Sequence, residues 1–379
     1  MCVSRPKDPA RFPPGPGPVP HGALRAMNKF VKRYLVDALG GMALGLFSTL
    51  IIGLILKQVG GFFPGTAPGR FLVGLGNLAT VLTGAGIAAG VAHSLGSPRL
   101  VIYASLLSGL VGAYASRFVD GSMFSAAGVA LSGPGDPLGA LVAALAGAEL
   151  GRLVSGKTRV DIIVAPAVTI LAGCLAGALL GPTLSRGSIA LGGVIRYATE
   201  LRPFLMGVVI SVCMGLFLTL PISSAAIGII LGLSGIAAGA ATAGCSAQMI
   251  GFAVISFRDN GWNGLFAQGL GTSMLQMPNI VRNWRIWIPA TAASAITGPL
   301  ATTVFGMMNL PAGSGMGTSG LVGPLLAWQA MTGAGMGAPR VLFSILMICL
   351  VLPALLSYAF YALMRKKGWI RDGDMKLSS

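Results

Sequence analysis

Residues 35–56 form an apolar run broken by a single charge, Asp37. A bilayer's hydrocarbon core is about 30 Å thick and takes about 20 such residues as a helix. Similar runs follow near 72–95, 99–116, 137–151, 161–181, 203–220, 222–243, 245–257, 286–308 and 340–364. This predicts an all-α, polytopic transmembrane helical bundle of about ten spans. Composition agrees, because only 9% of the residues are charged. A soluble domain carries roughly 25% and needs that charge to cover its surface. Mean hydropathy is +0.81. The 57 glycines suit close helix–helix approach and interrupted helices in lipid.

Two further stretches, 263–278 and 311–336, are apolar but broken, which predicts re-entrant or horizontal segments. The stretch 184–202, with Arg186, Arg196, Glu200 and Arg202, reads as an interfacial helix. Residues 1–27 are basic and rich in proline and glycine, the composition of a disordered extension. Met27, just before Asn28-Lys29-Phe30, is a plausible alternative start. The domain pattern is therefore 1–27 as extension, 28–367 as membrane domain and 368–379 as cytoplasmic tail.

Lys and Arg number 26 against 10 Asp and Glu. The basic residues sit between apolar runs, with no basic stripe interleaved with aromatics, which argues for topology and against nucleic acid. With both termini cytoplasmic, about 19 basic residues fall inside and about 7 outside, which fixes the orientation by the positive-inside rule. The five cysteines, Cys2, Cys174, Cys213, Cys245 and Cys349, contain no CxxC, and only His21 and His93 add imidazole. No metal site, disulfide framework or cofactor is expected. There is no triad, no HExxH and no close carboxylate pair to suggest catalysis. GSGMGTSG lacks the lysine ending of a phosphate loop.

One internal echo, GIAAGVA at 86–92 and GIAAGAA at 235–241, would fall on oppositely directed helices in this topology. That suggests two inverted halves of about five helices each; chance likeness of Gly/Ala-rich segments is the alternative.

Charge inside lipid is expensive, so intramembrane acids narrow the search. Asp37 and Asp161 each sit in the first turn of a span, where a carboxylate complements the helix N-terminus and can pair with Lys32 or Arg33, and with Lys157 or Arg159. Glu149 has Arg152 three residues on, a helix-surface pair or a solute contact. Glu200, in YATELRPF, either accepts hydrogen bonds from solute hydroxyls or pairs with Arg196 or Arg202. His93 either meets solute or a proton, or caps a helix end. Uncharged polar groups gather at the glycine-rich breaks: Ser246 and Gln248, then Gln268, Thr272, Ser273, Gln276 and Asn279, then Ser314, Thr318 and Ser319. Such groups suit a neutral polyhydroxylated solute, or else satisfy one another. Glu200, Gln248, Gln276 and 312–320 are expected to meet in one mid-membrane cavity.

YLVDALGGMALGLFSTLIIGLILKQVGG (34–61), GAELGRLVSGKTRVDIIVAPAVTI (147–170), ATELRPFLMG (198–207), LTLPISSAAIGIILGLSGIAAGAATAGCSAQMIGFAVIS (218–256), GLGTSMLQMPNI (269–280) and AGSGMGTSGLVGP (312–324) resemble the phosphotransferase-system IIC-like membrane proteins, including the perfringolysin O regulator-like group. The resemblance implies a sugar permease component of the bacterial cytoplasmic membrane. Separate IIA and IIB proteins would deliver the phosphoryl group, and the permease would be a homodimer. GGMALG at 40–45 is a candidate subunit contact. The chain departs from the full pattern in having no IIA or IIB domain after residue 364, and only Ala198-Thr199-Glu200 compares with the Gly-Ile-Thr-Glu motif of glucose-type permeases. A membrane sensor or an uncoupled transporter is the other class.

The orientation predicts that a reporter active only in the cytoplasm works when fused after Lys367, and that one active only outside stays silent there.

Overall fold

The computed structural model describes residues 29–125 and 128–377. The extension 1–27, with Cys2 and His21, and the Arg196 side chain lie outside the described residues.

Helix α1 (Lys32–Gly61) meets a bent pair, α2 (Ala67–Val81) and α3 (Thr83–Ser94), whose axes differ by 53°. Glycines face glycines along this hairpin. A methyl on Gly41 would overlap the Gly90 carbonyl, and one on Gly45 the Gly86 carbonyl. Further along, Gly53 lies on Gly76 and Gly60 on Gly69. Lipid supplies no hydrophobic drive between helices, so backbone approach of this kind is how they gain dispersion contact. Gly41 and Gly45 are thus buried within the chain, so GGMALG does not present them to a second subunit.

Helices α4 (Arg99–Ala113), α5 (Pro137–Val154) and α6 (Asp161–Thr199) continue the same packing. Gly84 of α3 lies on Gly109 of α4, and Gly112 of α4 on Gly139 of α5. Between α4 and α5 a two-residue β pairing sets Phe124 opposite Val129. The interfacial helix expected over 184–202 is not separate: Pro182 fails to end the helix, and α6 runs on to Thr199. Leu171, Leu175 and Leu179 stand exposed at four-residue spacing on its outer face, the position of a lipid contact.

The second half opens with α7 (Pro203–Thr219) and the short α8 (Ser224–Ile230). Expected spans 222–243 and 245–257 prove to be one helix, α9 (Gly235–Ile255), entered after the break at Gly232 and Gly235. The small-residue run AAGAATAGC does not break α9, because its Gly244 lies against the Ser211 carbonyl of α7. After α9 come α10 (Phe257–Phe266), a polar irregular turn over 267–276, and α11 (Met277–Arg282). Then α12 (Ile288–Thr303) leads to a second irregular segment and α13 (Val322–Gly333). The chain closes with α14 (Ala338–Lys366). Among the described residues five helices, α1, α5, α6 up to Gly187, α9 and α14, are long and apolar enough to span alone, and the bent pair makes six. Helices α4, α7 and α12 are shorter and apolar.

Long-range contacts fix which ends coincide. Arg33 pairs with Glu149 at 2.6 Å and donates to the Leu95 carbonyl, so the start of α1 joins the ends of α3 and α5. Helix α11 packs on the opening turn of α1, and its Asn279 donates to the carbonyl of Lys376. The first and last described residues therefore share one end, here the termini end. At the far end Thr302 donates to the Pro203 carbonyl and Gly235 pairs with Asn309. Both α3 and α9 run toward the termini end, so the GIAAG echo does not mark an inverted pair.

Gly45→Val should lower the melting temperature sharply, because overpacking typically costs about 1–3 kcal/mol and here the obstacle is main chain. Gly61→Ala, with open space around it, should not. Differential scanning fluorimetry of both in detergent checks the pair.

Candidate functional site

The acids come first. Glu149 holds Arg33 and also Arg152, the latter at 3.1 Å. Arg33 therefore serves Glu149 rather than Asp37, which lies half-buried in the wide opening turn of α1. Asp161 accepts from the Gly156 N–H at 2.8 Å and from the Ser155 hydroxyl, closing the α5–α6 turn. His93 is exposed in the last turn of α3, where its carbonyl accepts from the Gly96 N–H. Glu200 is exposed at the C-terminus of α6, at the far end.

Three interrupted stretches meet inside the second half. At LTLPISS, Pro221 stops α7; at QGLGTS the chain opens into a wide turn and then extends; at PAGSGMGTSGL, Gly317 and Gly320 take positive φ. Only glycine fits at Gly317, where φ is 51° and a Cβ would crowd the Cys245 backbone. Leu321 follows with φ 61°, a left-handed conformation that costs roughly 1–2 kcal/mol for a side-chain residue. Such strain clusters at functional sites.

Buried side chains satisfy these breaks. Asn309 donates to Thr242 at 2.7 Å and to the Gly323 carbonyl at 3.0 Å, while its oxygen accepts from the Leu310 N–H. Thr318 donates to the Gly269 carbonyl, tying two breaks together, and Ser224 donates to Gly315. Gln248, fully buried in α9, accepts from the Trp287 indole N–H at 3.0 Å and donates to Thr291 at 3.1 Å. Thr219 donates to the same Gln248 oxygen at 3.4 Å, and its hydroxyl shares a 2.8 Å hydrogen bond with Ser273. The buried Ser319 hydroxyl finds no hydrogen-bond partner, while Ser246 meets the Cys349 thiol.

Ser319 borders a small cavity of about 60 Å3 where all three breaks meet, beside Ile222, Thr272 and Gly315 and the α1 residues Leu46 and Leu50. Beside it lie two larger adjoining cavities of about 380 and 370 Å3, the first bordered by Lys376 and Leu377 at the termini end and the second reaching along α1 to Ile55. Phe47, Asn263 and Ala267 line both; Asp259 and Asn260 line the first and Gly271 the second. Gly271 also borders the small cavity, so one lining runs from the termini end to the breaks. Phe47 lies directly on Gly271, where a methyl would strike the ring. Both belong to wide π-type turns, Phe47–Ile51 and Ala267–Gly271, a geometry frequent at functional sites.

Gln276 and Asn279 sit elsewhere. Gln276 donates to Gln268 and to the Met375 carbonyl, and Asn279 donates to Gln276 and to the Lys376 carbonyl. The single expected cavity is therefore divided: Gln248 and 312–320 lie near the breaks, Gln276 at the termini end and Glu200 at the far end. Sequence reading missed Phe47, Asp259, Asn260 and Asn263. The wide turns that aim Phe47 and Ala267 leave no local signature. Among the described residues no three His, Cys, Asp or Glu side chains gather as a metal site.

A helical membrane bundle with satisfied helix breaks around an internal path is the architecture of a solute permease. The family described as "Phosphotransferase system, EIIC" matches residues 36–377, and the chain belongs to it. It is thus an integral membrane permease component of that system. No curated protein gives a significant match.

Gln248→Leu should lower the melting temperature by an amount corresponding to about 1–3 kcal/mol, because the Trp287 N–H and the Thr219 hydroxyl lose a buried acceptor. Gln329→Leu, an exposed site on α13, is the control and should leave it unchanged.

Proposed function

We propose that the protein carries a small neutral polyhydroxylated solute across the bacterial cytoplasmic membrane, with both termini cytoplasmic. Separate IIA and IIB proteins supply phosphoryl transfer, and the working unit is a homodimer. The observation that carries the solute class is the cavity at the three breaks. Its polar lining is hydroxyl and backbone, and it holds the buried, unpartnered Ser319 hydroxyl. Uncharged donors and acceptors match sugar hydroxyls, whereas a charged solute would arrive without a counter-charge. At about 60 Å3 the cavity has room for a few waters but not a hexose, so in this reading it is a closed form of the site. Parting of Phe47 from Gly271 would join it to the larger cavities.

Ser319 and Thr318 contact solute in this reading, with Ser246 and Gln248 shaping the wall behind them. Gln276, Asn279 and His93 stand at the termini-end entrance and Glu200 at the far entrance. The termini end also carries Arg99, Arg152, Lys157, Arg159, Arg282, Arg285 and the 365–367 cluster, which supports its cytoplasmic placement.

A thermal-shift screen of sugars and polyols on purified protein should yield a stabilising ligand. Ser319→Ala should weaken its binding about twofold to tenfold, the loss of one neutral hydrogen bond, and Ser319→Phe should abolish it. Glu200→Gln should weaken it about threefold to tenfold, since water competes at an exposed carboxylate. Unchanged affinity in Ser319→Phe removes the cavity from the reading, and unchanged affinity in Glu200→Gln removes Glu200.

A further inference from the structure

Residues 368–377 do not hang free of the bundle. Trp369 lies under the cations of Arg285 and Lys367, and Arg365 pairs with Asp372 at 2.7 Å. Beyond that turn the chain runs along α10 and α11 and is held by its main chain. Asp259 accepts the N–H groups of Gly373 at 3.0 Å and Met375 at 3.2 Å. Asn260 accepts the Leu377 N–H and donates to the Met375 carbonyl, both at 2.8 Å. Gln276 donates to the same Met375 carbonyl, and Asn279 donates to that of Lys376. Asn283 donates to Asp374 at 2.9 Å.

Two apolar side chains anchor this segment. Ile370 and Met375 are each 1% exposed and join the buried cluster that includes Met274, Met277 and Ile280. Lys376 and Leu377, just beyond the anchor, form part of the wall of the 380 Å3 cavity. The segment therefore grips the same α10 residues, Asp259 and Asn260, that line the cavity.

We propose that residues 371–377 are a strap that closes the termini-end mouth of the solute path, and that its release opens the path. The strap regulates the site of the preceding section, so its effect on transport rests on that reading, while its effect on access does not. Its holding contacts are mostly uncharged amides on main-chain groups; the charged groups among them are Asp259, Asp374, which accepts from Asn283, and Asp372, which pairs with Arg365. Added salt therefore weakens chiefly the exposed Arg365–Asp372 pair and leaves the amide contacts in place. Competition for the same amides, by an extended peptide or by the polyhydroxylated solute arriving in the cavity, releases it directly.

The test separates access from transport. Leu275 lines the cavity beside Lys376 and Leu377, so Leu275→Cys reports its accessibility. Purified protein carrying Leu275→Cys is reacted with a charged methanethiosulfonate, with the parent chain as background. Met375→Glu, which cannot seat its carboxylate in the apolar anchor, should speed labelling tenfold or more. Asp259→Ala, which removes the acceptor of two N–H groups, should speed it several-fold and decides the matter if Met375→Glu fails to fold. Unchanged labelling in a folded variant overturns the strap. Faster labelling in a protein that carries no sugar or polyol in proteoliposomes upholds the strap and overturns the permease reading instead.

Discussion

A peptide group facing hydrocarbon has no water to bond, so every interruption of a helix within the membrane must be repaired by the protein itself. This one constraint organises the second half of the chain. The breaks at 220–223, 267–276 and 304–321 would each expose carbonyls and N–H groups. Thr318 and Ser224 bond those groups across from one break to another, while Asn309 and Thr272 bond groups of their own stretches. Repair of one break by the next brings the three into one place, and the small cavity, largely apolar with hydroxyls set into its wall, is the space left between them. The first half follows the opposite solution. Its helices meet through glycine contacts and need few buried polar groups.

Much of this was legible in the sequence because lipid leaves so few choices. Apolar runs of span length gave α1, α4, α5, α7, α12 and α14 to within a few residues, and glycine- and proline-rich stretches marked the breaks. What failed was local in a different sense. Gly244 carries the same letter whether it ends a helix or admits a neighbour, and only the position of Ser211 decides between them. The Arg33–Glu149 pair joins residues 116 apart, so the nearer Asp37 looked the natural partner. Asp259 and Asn260 look like ordinary loop residues until the distant 373–377 segment is laid across them.

The candidate site was legible by residue type but not by place. Hydroxyls and amides at the breaks were identifiable from spacing, and most prove buried. Their division into a layer around Gln248, a layer around Ser319 and a clamp around Gln276 depends on helix direction. The wide turns that alter direction without a proline or a charge are invisible in a hydropathy pattern.

Those wide turns also keep phase. Along α1, glycines at 41, 45, 53 and 60 all lie against the bent pair. Gly45 and Gly53 are eight residues apart, whereas two α turns take about 7.2, so a regular helix would rotate the later pair off the shared face. The π-type turn at Phe47–Ile51 accommodates the surplus and brings the second pair back into line. The same surplus residue that gives Phe47 its place on Gly271 thus acts as a spacer in the helix's own count. A single deletion there would make α1 regular and still leave its glycines on one face, so the hairpin does not require the surplus residue and the place of Phe47 on Gly271 is what it supplies.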